Sequence, residues 1–313
     1  MVLDTGQPDR HATHRAGAVN SRTYRVVHST RYQYGATMTD GYSVARLVPR
    51  PTDHQIVHEA EVRLVPSASE WDSYLDVFGN LVHQFGLHEP HTEMMVEVVS
   101  VVEVSRRDEP TDTTPWEQVA ELGANATGDL AIEVGLFRSP SAFVDVDGFG
   151  PAFAPIVAHA FPPGRPIVEA VRALCLHIFD EFEFDPHFSN VATPLDAVLS
   201  ARRGVCQDFA HLAIGCLRSL GLAARYVSGY IESVPPPGEE RLVGADASHA
   251  WCSVWTPNDG WVDFDPTNGH LPVNEHVTVA WGRDYDDVIP VRGVMIGPAT
   301  SQDLYVSVDV ARL

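Results

Sequence analysis

The sequence predicts an α+β protein: an N-terminal antiparallel β domain, then a unit in which one helix packs on an antiparallel sheet. Three observations predict it. Between Thr23 and Val104, β-rich stretches alternate with turn signals. Between Pro166 and Leu220, apolar residues recur at helical spacing. After Gly221 the text turns back to strands, with Asp259-Gly260 marking a hairpin between two of them.

Taken in order, residues 1–20 are polar, carry no apolar stretch and read as a disordered tail. Residues 21–105 read as the antiparallel β-rich domain, in the manner of a sandwich. Its strands are Tyr24–His28, Tyr42–Leu47, Gln55–Val65, Leu81–Leu87 and Thr92–Val104. Asp40-Gly41, Pro49 to Pro51 and Gly79-Asn80 separate them. The run from Val96 to Val104 is nearly continuous in valine, as in a buried strand. Residues 106–160 read as a connector: Arg106 to Pro115 is charged and exposed, short helices follow, and Gly148 to Pro163 is loop-rich. The second, mixed unit spans 161–313. In it a helix runs from about Pro166 to Glu181 on the stripe Ile167, Val168, Val171, Leu174, Cys175 and Ile178. Thr193-Pro194 opens a short helix through Leu199, with threonine as cap and proline in the first turn.

The next helix carries the chemistry. From Phe209 its apolar residues are Leu212, Ala213, Cys216, Leu217 and Leu220, and Gly221 stops it. Cys206 therefore sits in the first turn, where the helix dipole favours a thiolate. Its N–H points out of the helix end, where an oxyanion needs a donor. Ala223–Ile231 and His249–Trp255 read as strands, joined by a polar loop from Pro235 to Ala247. His249, Trp251, Ser253 and Trp255 share one face. Trp261–Asp265 follows the hairpin, and Pro266 ends it. A thiol, an imidazole and a carboxylate in this order read as nucleophile, base and orienter. Asp208 is read as a local bond within the first helical turn.

These strings resemble a known family. Gly204-Val205-Cys206-Gln207-Asp208-Phe209-Ala210, Ser248-His249-Ala250-Trp251 and Asp265-Pro266-Thr267-Asn268-Gly269 are similar to the bacterial transglutaminase-like superfamily, whose core is papain-like. Asp76-Val77-Phe78-Gly79-Asn80 and Gly282 to Val288 resemble its two-domain members. Phe184 departs from the pattern, because many relatives carry tyrosine there. The resemblance implies Cys206 as nucleophile, His249 as base and Asp265 as its orienting carboxylate. Gln207, next to the nucleophile, and Trp251 are candidate cleft residues by position, with core packing the other reading of Trp251. The acyl-enzyme is resolved by water, giving a peptidase or amidase, or by an amine, giving a transglutaminase. Hydrolysis is slightly favoured, since the polar loop offers no apolar lid. A peptide-binding scaffold that keeps the fold is the alternative outside catalysis, and the complete triad argues against it.

Composition narrows the partners. A net charge of −21 and a pI of about 4.9 disfavour nucleic acid and anionic membrane. A peptide or protein substrate remains the expected partner, with the oligomeric state open. Cys175, Cys206, Cys216 and Cys252 show no zinc spacing, and Cys175 and Cys216 fall on core faces. A reducing, cytoplasmic setting without cofactor is expected. His88-Glu89-Pro90-His91 falls short of a metal site, which wants more ligands.

Overall fold

A computed structural model describes residues 21–189, 193–232, 248–298 and 301–313. The tail at 1–20 and the loop from Pro235 to Ala247 lie outside the described residues.

The N-terminal strands are β1 (Arg22–Met38), β2 (Asp40–Ala45), β3 (Gln55–Val65), β4 (Glu70–Leu75), β5 (Leu81–Leu87) and β6 (His91–Val104). In β6 the valines at even numbers are buried and those at odd numbers only partly so. One face thus enters a core, and the other is half-covered. Four helices follow: α1 (Trp116–Ala124), α2 (Gly128–Arg138), α3 (Val146–Ala160) and α4 (Ile167–Glu181). Two-residue strands β7 (Glu183–Phe184) and β8 (Arg203–Gly204) bracket α5 (Leu195–Ala201) and pair in parallel. Then come α6 (Cys206–Ser219), β9 (Ala224–Ile231), β10 (Ser248–Thr256), β11 (Gly260–Phe264) and β12 (His276–Gly282). The chain returns with β13 (Val291–Ile296) and β14 (Gln302–Arg312).

Two four-stranded antiparallel sheets, ordered β14-β1-β6-β3 and β13-β2-β5-β4, make the β domain. Phe85, Leu87, Met94, Val96 and Val98 are among the buried side chains of its core. The catalytic sheet is ordered β11-β10-β9-β12. Phe209, Leu212, Ala213, Cys216 and Leu217 of α6 join its core, and the Cys252 thiol of β10 donates to the Ala210 carbonyl of α6.

Four expectations need correction. Residues 106–160 are not a mere connector: Val119, Val134, Phe137, Phe153 and Ile156 belong to the catalytic core. The stretch expected to be loop-rich is largely α3. Its Pro151 and Pro155 are exposed, so solvent reaches the backbone groups they leave unpaired, while Phe153, Ile156 and Ala160 bury the opposite stripe. Phe153 packs on Gly215 of α6, where an added Cβ would lie 2.5 Å from the ring. The catalytic unit also does not run to residue 313, because β13 pairs with β2 and β14 with β1. Pro194, finally, is the extended residue before α5 rather than its first helical one.

Candidate active site

α6 starts at Cys206 because the backbone before it is extended and pinned. Val205 has φ −115° and ψ −179°. Its N–H donates to Oδ2 of Asp208 at 2.8 Å, and the Ser189 hydroxyl donates to the same oxygen. This is the local bond the sequence suggested for Asp208. Burial pushes the Asp208 carboxyl up, against the pull of those two donors. Gly204 serves this turn by its size: a Cβ there would lie 2.8 Å from Asp208 Cβ and Oδ2. Cys206 is left half-buried, whereas Cys175, Cys216 and Cys252 are buried. Burial raises the Cys175 thiol to about 12 and raises those of Cys216 and Cys252 as well.

His249 lies on β10, opposite Gly229 of β9. The missing side chain matters. A Cβ on Gly229 would come within 2.0 Å of the Val277 carbonyl and 2.7 Å of the Trp251 ring. The His249 Nε2 meets Oδ2 of Asp265 at 2.7 Å. That leaves Nδ1 unused by Asp265, and the Cys206 thiol lies in interaction range of the imidazole. Burial opposes a charge on His249, but the interactions with Asp265 and Cys206 outweigh it and raise the imidazole to about 10.

Asp265 follows β11 and is fully buried. Five donors converge on it. Oδ1 accepts the backbone N–H groups of Thr267 and Asn268. Oδ2 accepts His249, Asn268 Nδ2 at 2.7 Å and His276 Nε2 at 2.9 Å. Burial alone would raise this carboxyl, yet the two histidines hold it well below the usual carboxylate range. Gly269, at φ +69°, closes the turn by donating to the Asp265 carbonyl.

Cys206, His249 and Asp265 thus stand in one row, hydrogen-bonded between His249 and Asp265 and with the thiol in interaction range of the imidazole. Such a row can hold a thiolate beside an imidazolium and later return its proton to a leaving group. Gln207 is half-buried beside the thiol. Trp251 is not a cleft wall: it is fully buried and stacks behind His249, with ring centroids 6.1 Å apart. Nothing in the local sequence marks His276. No short spacing links it to the triad strings, and only the pairing of β12 with β9 delivers it. Asn268 stood inside a recognised string, but without a role.

Two sets of three ligand-type atoms, in His249, Asp265 and His276 and in His270, Glu275 and His276, lie within 4.8 Å of one another. In the first set both histidines already bond to Asp265. His88 and His91 diverge: His88 Nδ1 meets Asp40, and His91 Nδ1 meets the Glu89 carbonyl. Among the described residues, no helix is long and apolar enough to cross a membrane.

Comparison with known proteins agrees with this geometry. A profile of the transglutaminase-like superfamily matches residues 157–266, and one of the bacterial transglutaminase-like N-terminal region matches 24–103. The chain is 38% identical over 296 residues to uncharacterized proteins of Mycobacterium tuberculosis and Mycobacterium bovis, covering 92% of each chain. It is 29% identical over 124 residues to a protein-glutamine gamma-glutamyltransferase of Pseudomonas aeruginosa, covering 35% of this chain and 19% of that one. A solved structure of a candidate cysteine protease from Cytophaga hutchinsonii superposes with a TM-score of 0.69 at 18% identity, covering 93% and 98%.

Proposed function

The chain belongs to the transglutaminase-like superfamily, and from that premise we propose that it is a cysteine enzyme cleaving amide or peptide bonds through a Cys206 thioester. One observation carries the reading: a half-exposed thiol at a helix start lies in interaction range of an imidazole whose far nitrogen is held by a buried, fully satisfied carboxylate. The Cys206 sulfur attacks the carbonyl carbon, and the resulting oxyanion takes the N–H of Cys206. His249 then gives its proton to the leaving amine, and the C–N bond breaks. Asp265 fixes the tautomer and orientation of His249 throughout. Water, taken up by His249 acting as base, attacks the thioester and releases the acid.

Water is the favoured acceptor because it is present at roughly 55 M and needs no dedicated site, whereas an amine must be positioned at high effective molarity. The similarity to a gamma-glutamyltransferase over 124 residues favours the amine as second reading. A glutamine-containing peptide supplied with a labelled primary amine separates them. Ammonia release without incorporation is expected; stoichiometric incorporation at millimolar amine makes the protein a transglutaminase. Neither ammonia release nor cleavage of any peptide in a broad substrate panel, by a folded protein whose Cys206 is reduced, sinks the proposal as a whole.

A further inference from the structure

A cavity of about 650 Å³ lies between the catalytic sheet and the segments around Thr52–His54 and Arg107–Pro110. Arg225 of β9 stands in its wall, only 7% exposed. Its guanidinium is sandwiched between two indoles, with Cζ 4.3 Å from the Trp261 centroid and 3.8 Å from that of Trp281. Its Nε is sealed from solvent without a partner, and the side chain donates no hydrogen bond to any described residue. A buried donor left without a partner is costly, the more so when it is charged.

The neighbouring carboxylate is already committed. Asp263 accepts Arg107 Nη1 at 2.6 Å, Trp251 Nε1 at 3.2 Å and the Ser253 hydroxyl. Arg50 stacks on Trp281 as well, 3.2 Å from its centroid. The deep end therefore gathers two guanidiniums, those of Arg107 and Arg225, beside one carboxylate, with Arg50 behind the Trp281 ring. At the mouth the sign reverses. Asp53 and Asp108 border the cavity, are exposed, and pair with no cation among the described residues. The other acids there are occupied: Glu109 by Arg172, Asp259 by the N–H groups of Thr111 and Asp112, and Glu133 by the Trp261 indole.

We propose that this cavity binds a small zwitterion of the amino-acid or dipeptide class, its carboxylate on Arg225 and its ammonium facing Asp53 and Asp108. A guanidinium held flat between two rings presents its in-plane edge, the geometry that pairs with a carboxylate through two parallel bonds. The volume lies in the range of small-molecule sites. A plain anion would meet the acidic mouth, and a plain cation the basic interior; only a ligand with both charges suits both ends. The site uses none of Cys206, His249 or Asp265, so it stands independently of the proposed reaction.

The test uses the full chain carrying Cys206→Ala, which keeps the probes intact, and follows the tryptophan indole N–H signals by NMR. Alanyl-alanine is expected to shift the Trp261 and Trp281 signals saturably while leaving Trp71 unmoved. N-acetyl-alanyl-alanine lacks the ammonium and alanyl-alanine amide lacks the carboxylate. Each is expected to bind about tenfold more weakly or worse, as is alanyl-alanine to a chain that also carries Arg225→Lys. Unmoved Trp261 and Trp281 signals with alanyl-alanine overturn the site, and this arm needs no change at Arg225. Equal binding of either blocked peptide, or undiminished binding by the lysine variant, overturns the assigned ligand class.

Discussion

Arg218 and Arg225 are two buried arginines of the same catalytic unit, and they are treated in opposite ways. Arg218, near the end of α6, is 4% exposed and donates to the carbonyls of Phe137, Ala224 and Arg283 and to the Ser141 hydroxyl. It ties α2, α6, β9 and the end of β12 together. Arg225 is 7% exposed and donates to no described residue. Burial lowers both guanidiniums, to about 10 and about 9. The desolvation cost is similar, so the difference lies in what meets the charge. Asp265 is the anionic counterpart of Arg218, a buried charge with every neighbour in place. A folded chain keeps a buried charge either because its own groups satisfy it or because something from outside does.

The largest expected effect is at Asp265. Asp265→Asn keeps the shape but loses the charge shared by His249 and His276, and kcat/KM is expected to fall roughly 10³–10⁴-fold in a folded protein. Activity within tenfold of wild type would remove Asp265 from the proposed mechanism. Next comes the arginine pair itself. Arg218→Met leaves three buried carbonyls without their donor and is expected to cost roughly 3–5 kcal/mol in urea unfolding. Arg225→Met removes an unsatisfied charge and loses only stacking, so less than about 1.5 kcal/mol is expected. Equal costs would show that satisfaction is not what separates the two. The smallest effect is on pH. His249 is raised in the folded state from 6.5 to about 10, so its contribution to stability is full below about 6.5. That contribution declines as pH rises and is gone above about 10. Melting temperatures of wild type and His249→Gln should therefore converge between pH 7 and 10; a constant gap contradicts the raised imidazole.

Much of this was legible in the sequence, for reasons that name its limits. The start of α6, the strands β9 to β11 and the β domain followed from period and turn chemistry, which are local. α3 escaped because Pro151 and Pro155 break the local rule and tertiary burial of Phe153 and Ile156 overrides it. His276 escaped because strand pairing, not spacing, brings it to Asp265. Trp251 was placed on the right face, but period 2 does not say whether a face opens to solvent or to another layer. Arg225 reads as an ordinary strand residue until the two indoles around it are seen.

The return of β13 and β14 to the first sheets has a consequence for biosynthesis. Residues 105–290 separate β6 from the strands that complete both sheets. At 5–20 residues per second a ribosome needs on the order of ten to forty seconds to bridge that gap. During that interval β1 and β2 each present an unpaired edge, the kind of surface that captures strands from other chains. Two nascent chains on one message could exchange these closing strands, so the order of synthesis itself favours swapped dimers when translation is dense or slow.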